Sequence, residues 1–232
     1  MACPPRARTV EDTRTTTIGD VKVLLSDLDP DDLDSTTDLA ECLTEALVNG
    51  AAWHGSHLED VSIRSSLITG VDLSESTWEA GSLYGCEITR TDFSGATLTG
   101  ITIERCAITG SRFTGTRLTD VRLKDVLFDG CRFDYATFQR VTAAGSVAFT
   151  DCTFANGAWS SCRLPRIALR SCDLTGLELD SCHLDGTDLR GSRLHGLKTP
   201  LDNLHGTILG QDQLPDLTRL AVAALDLTVQ EE

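Results

Sequence analysis

Residues 91–138 read TDFSG ATLTG ITIER CAITG SRFTG TRLTD VRLKD VLFDG CRFDY ATF, and the spacing in this stretch decides the fold. The third letter of every group of five is bulky and apolar, from Phe93, Leu98 and Ile103 through to Phe133 and Phe138. The first letter is mostly small, as in Thr91, Ala96, Cys106, Ser111, Thr116, Cys131 and Ala136. Asp, Arg, Thr, Ser and Gly fill most of the remaining positions. A period of five matches neither the helix nor the simple strand. Two inward residues in every five, one bulky and one small, fit a coil that turns a corner in each group. Four groups then close a square turn of about twenty residues, with the bulky side chains filling its middle.

The same series begins upstream at Leu58 and runs to Phe138 without a gap. After one extra residue within 139–148 (QRVTAAGSVA) it resumes at Phe149 and continues to Leu194. Ala144 is expected to stand where a bulky residue should. A second irregularity lies in residues 197–203 (LKTPLDN), with Thr199 at a bulky position beside Pro200. Both read as bulges or small loops at a corner.

Residues 86–90 (CEITR), 91–95 (TDFSG), 172–176 (CDLTG) and 187–191 (TDLRG) carry a further likeness. In these groups the chain resembles the pentapeptide-repeat family, whose consensus is a small residue, Asp or Asn, Leu or Phe, then two variable positions. The resemblance spans residues 51–210. It implies an all-β solenoid, a right-handed quadrilateral β-helix of about eight coils and on the order of 38 Å long at the ordinary strand spacing. Within the family the chain resembles the quinolone-resistance members that protect DNA gyrase. That likeness implies a non-enzymatic partner of a type II topoisomerase (DNA gyrase or topoisomerase IV) that modulates inhibitor sensitivity. Some proteins of this fold imitate the shape and charge of duplex DNA. The alternative is an interaction scaffold with a different protein partner, because a fold does not determine a function.

The open ends of a β-helix need covering. Leu39, Cys42, Leu43, Ala46 and Leu47 have the spacing of an amphipathic helix, with Ser35 to Asp38 as N-cap and Asn49-Gly50 as stop. This predicts an N-terminal capping helix within a flexible, acidic segment, residues 1–50; residues 1–17 are expected to be mobile. At the other end Leu214, Leu217, Leu220, Ala221, Ala224 and Leu225 form a helical stripe. Residues 211–232 are therefore expected to hold a capping helix. The family resemblance adds a role for that helix in pairing two rods into a homodimer.

The nine cysteines raise the question of chemistry. Seven of them (Cys86, Cys106, Cys131, Cys152, Cys162, Cys172, Cys182) occupy the small inward position, where a thiol packs as a small hydrophobe. Neither CxxC nor a Cys/His cluster at zinc spacing is present. Residues 1–20 lack an apolar signal core, which predicts a cytoplasmic protein with reduced thiols. No apolar run is long enough for a membrane span. Phosphate loops, Rossmann glycines, GxSxG and HExxH are all absent, so no catalytic residue or cofactor is assigned. Asp27, Asp29, Asp31, Ser35 and Asp38 have EF-hand-like spacing, but Pro30 intrudes and Asp32 replaces the glycine the loop requires; the segment reads as an acidic lead-in to the helix.

The net charge of −15 disfavours direct binding to nucleic acid. Residues 1–50 carry eleven acids against four bases, and residues 203–232 five against one, so most of the charge is in the ends. Sorted by side, the coil has a basic side with Arg64, Arg105, Arg122, Lys124, Arg163 and Arg166 and a net charge of +2. Its most acidic side, which includes Glu59, Asp60, Glu79, Glu178 and Asp180, comes to −3. Duplex DNA carries one charge per ~1.7 Å, so the imitation of DNA that the resemblance implies would rest on shape more than on charge. The six basic residues, with Glu178 and Asp180, are the candidate partner contacts, and residues 27–45 are a candidate to dock on the basic side.

Overall fold

The structure, a computed structural model, describes residues 13–38, 40 and 42–230. It is a β-solenoid of about seven turns. At the ordinary strand spacing this makes a rod of roughly 34 Å. One side shows how each group of five folds. Arg117–Thr119, Thr137–Gln139, Ala158–Ser160 and Glu178–Asp180 are three-residue strands stacked in parallel, with Leu118, Phe138, Trp159 and Leu179 in register. The bulky residue points inward and its two neighbours outward, as alternation in a strand requires. The next residue turns the corner in the left-handed region, at Asp120 (φ 55°), Arg140 (53°), Ser161 (55°) and Ser181 (53°). The small residue that follows then turns inward at the start of the next side.

Aromatics are only 5% of the chain, yet all seven phenylalanines and all three tryptophans are buried on the axis. Phe93, Phe113, Phe133 and Phe154 stack face to face in successive coils, with centroids 4.6–5.0 Å apart. Phe133 also meets Phe128 and Phe138 edge-on, at 5.4 and 5.6 Å. These are the favoured geometries for aromatic pairs.

The small inward register is a row of hydrogen-bond donors as well as spacers. Ser192 Oγ donates to Leu169 O (2.7 Å) and Thr187 Oγ1 to Leu164 O (3.0 Å). The cysteines do likewise, with Cys131 Sγ to Ile108 O (3.3 Å) and Cys172 Sγ to Phe149 O (3.5 Å). Each donor satisfies the buried carbonyl of a bulky residue in the coil below. All seven are buried, free thiols. Hydrogen bonds with Cys131 and Cys172, together with burial, push the Cys152 thiol far up; burial does the same at Cys106. Cys42, outside this ladder, is disulfide-bonded, which corrects the expectation of reduced thiols there.

Gly81 takes a small position where no other residue fits. Its φ is 125°, and an added Cβ would lie within 2.8 Å of the Val61 backbone nitrogen. In the irregular stretch, Leu123 pairs with Ala143 and Val126 with Val147. The bulky position therefore belongs to Ala143, not Ala144, and the extra residue lies within 144–146.

The N-terminal region departs most from expectation. No helix forms there among the described residues. Strands β1 (Thr13–Ile18) and β2 (Val21–Ser26) make an antiparallel hairpin. A 3₁₀ turn at Pro30–Asp32 and strands β3 (Asp34–Thr36), β4 (Cys42–Thr44) and β5 (Ala46–Asn49) follow, with β3 to β5 joining the ladders of the rod. The helical spacing at 42–47 is overridden because Leu43, Ala46 and Val48 also fit the five-residue register and are buried in the main core. Leu39 lies outside the described residues, as do residues 1–12. The segment expected to be mobile begins, at Thr13, as a strand.

The C-terminal expectation fares better. The last coil passes through a 3₁₀ turn at Leu201–Leu204. Buried Gln213 then closes the end, donating from Nε2 to Leu189 O (2.7 Å) and Ser192 O (2.6 Å). Helix α1 (Leu214–Ala224) lies beyond it, with Leu220 partly buried against the core.

Candidate interaction surfaces

With the interior filled, any function resides on the four sides and two ends. The coil brings Arg64, Arg105, Arg122, Lys124, Arg163 and Arg166 to one side, as the side chains beside the Ile63, Leu83, Ile103 and Leu123 ladder. At its N-terminal part, Arg64 and Arg105 each lie 5.6 Å from the Tyr84 ring centroid, and Arg105 Nη1 donates to Tyr84 OH (2.9 Å). Lys124 pairs with Glu104 (2.7 Å). Among the described residues no ion pair engages Arg122, Arg163 or Arg166, and all three are exposed.

Glu178 and Asp180 fall on the adjacent side, with Glu59 and Glu79. Much of the charge there is neutralised locally. Lys198 pairs with Glu178 (2.6 Å), and Arg140 grips Asp120 through Nε and Nη2, each at 2.7 Å. The Arg140 hydrogen bonds hold the Asp120 carboxyl below the usual range. A sparse acidic side is thus sparser still.

Sequence reasoning misses the site on a third side. Its outward row reads Ala107, Leu127, Ala148 and Ala168 in successive coils, and the hairpin lies across it. The hairpin therefore docks here, whereas residues 34–36 and 42–44 of the 27–45 segment, expected to dock on the basic side, are strands of the coil itself. The signal for the hairpin is Gly19-Asp20 between TRTTTI and VKVLLS. The EF-hand-like residues gather no metal-ligand cluster among the described residues; Asp29 instead accepts from the Asp31 amide (3.0 Å).

On α1, Leu214 and Leu225 are exposed (52% and 60%), as is Ala224, while Leu217, Leu220 and Ala221 are half-buried. No described helix is long and apolar enough to cross a membrane.

The family described as Pentapeptide repeats matches residues 66–105 and 169–198, in eight copies. These two segments of the chain carry pentapeptide repeats. Solved pentapeptide-repeat structures similar to it include HetL, involved in heterocyst differentiation regulation in the cyanobacterium Nostoc sp. strain PCC 7120. It is 16% identical, with 73% of this chain and 90% of HetL covered and a TM-score of 0.42. Another is QnrB1, a plasmid-mediated fluoroquinolone resistance protein, at 17% identity, 81% and 90% coverage and a TM-score of 0.37. A third is Rfr23 from the cyanobacterium Cyanothece 51142, at 13% identity, 71% and 91% coverage and a TM-score of 0.21. No curated protein matches the sequence. At these values the likenesses do not choose among functions.

Proposed function

We propose that this protein is a non-enzymatic interaction rod that binds a type II topoisomerase, DNA gyrase or topoisomerase IV, and alters its response to inhibitors. The observation that supports this is the stacking of about seven turns of parallel ladders into one rod. A surface that holds duplex DNA is basic, so the side with Glu59, Glu79 and Asp180 would face it, and shape would contribute more than charge. Helix α1 would pair two rods through Leu214, Leu217, Leu220, Ala221, Ala224 and Leu225, which sedimentation at several concentrations tests directly. The test of function is DNA supercoiling by purified gyrase, with and without a fluoroquinolone. Inhibition or protection that weakens in Glu79→Lys/Asp180→Lys supports the reading; no effect up to about tens of micromolar contradicts it.

A second reading is favoured by the unpaired Arg122, Arg163 and Arg166. Here the rod is a scaffold whose basic side docks an acidic protein, and binding is salt-sensitive. Arg122→Glu/Arg163→Glu abolishes that binding while leaving any effect on gyrase intact.

A further inference from the structure

The hairpin is attached to the rod in a manner unlike every other strand. β1 and β2 form their own two-stranded sheet and share no ladder with the solenoid. Their contact is made by side chains. Val23 and Leu25, both buried, sit on Ala107, Leu127, Ala148 and Ala168, in a cluster separate from the main core. The outward row here is apolar and, Leu127 apart, small, so it leaves a shallow trough running along the rod axis.

The two ends of the trough have opposite charge, and the hairpin matches both. At one end Arg14 pairs with Glu87 (2.7 Å). At the other, Asp20 approaches Arg190 (3.3 Å) beside the nearly buried Asp188, which holds Arg190 (2.8 Å) and Arg170 (3.0 Å). Gly19, at the tip with φ 59°, is pressed so close that an added Cβ would lie 2.6 Å from Asp188 Oδ2. The trough thus selects an extended segment with aliphatic side chains at alternate positions, a base at one end and an acid at the other. Isolated two-stranded hairpins are marginal in water, so this one is ordered by the trough and can leave without breaking a backbone bond of the rod.

We infer that this trough is a strand-binding interaction surface, occupied in cis by the hairpin as a removable strap, whose ligand in trans is an extended segment of the same chemistry. Binding in trans is governed by the fraction of molecules with the strap released. The inference is independent of the topoisomerase reading.

The test uses the full chain and a synthetic peptide of residues 13–26 (TRTTTIGDVKVLLS). In Val23→Asp/Leu25→Asp the strap is released while the main core is untouched, and the labelled peptide binds at least about tenfold more tightly than to the parent chain. Adding Arg190→Glu to that variant removes the gain. A variant that keeps the far-ultraviolet spectrum of the rod yet binds the peptide no better than the parent overturns the proposal. A second measurement needs no variant. Trypsin should cut the parent after Lys22 well before it cuts any coil of the rod, and a hairpin as resistant as the coils also overturns it.

Discussion

Phe133 and Val23 are both fully buried, but in different ways. Phe133 lies on the axis of a closed coil, in contact with five other aromatic rings, and every strand around it is hydrogen-bonded above and below. Val23 lies against the outside of that coil, on a hairpin whose only backbone partners among the described residues are its own. The first kind of burial is cooperative, because each coil is the template for the next. The second is a docked contact that can be made or lost while the rod stays folded. Interaction with other molecules therefore belongs to the outside: the sides, the strap and α1.

Four changes would break or sharpen this contrast. The largest effect is expected from Phe133→Ala, which opens a cavity among stacked rings; denaturant unfolding should show a loss of about 3–5 kcal/mol. Gly81→Ala comes next. The backbone there is closed to L-residues and the added methyl meets Val61, so about 1–3 kcal/mol of rod stability should be lost. Cys172→Ser should cost about 1 kcal/mol or less by the same assay, because a hydroxyl can donate to Phe149 O as that of Ser192 does to Leu169 O. A larger cost would mean that the cysteines do more than fill the register.

The smallest effect concerns pH and the strap alone. Burial opposes the charge on Asp188, but hydrogen bonds from Arg190 and Arg170 outweigh it and hold the carboxyl below its ordinary value. A lowered folded value means the stabilisation is complete above the ordinary carboxylate range and lost only as pH falls through the lower one. The Val23 methyl resonances should therefore stay unchanged from neutral pH down to about pH 4 and shift only below it.

The rod was legible because its period is neither 3.6 nor 2, and a run of bulky residues at every fifth position has no other physical reading. The first coil was legible too: stepping back by five from Leu58 reaches Trp53, Val48 and Leu43, all buried in the core. That signal was outweighed by the helical spacing of Leu39, Cys42, Leu43 and Ala46, two patterns that coincide over a short stretch. The strap could be read as a hairpin from Gly19-Asp20, but its trough could not. Ala107, Leu127, Ala148 and Ala168 become neighbours only when coils of twenty residues stack, and the one-residue insertion before Val147 has to be placed correctly to align them. That Arg122 and Arg163 share a side follows from that same stacking. Which of its charges are already paired, as Lys124 is with Glu104, depends on side-chain geometry.

Native-state hydrogen exchange on the parent chain tests the two-part account most directly. The amides of Val21 to Leu25 should open together and much faster than those of Leu118, Phe138 and Trp159, which should exchange only with global unfolding of the rod. A single opening free energy shared by the hairpin and the central coils would contradict it.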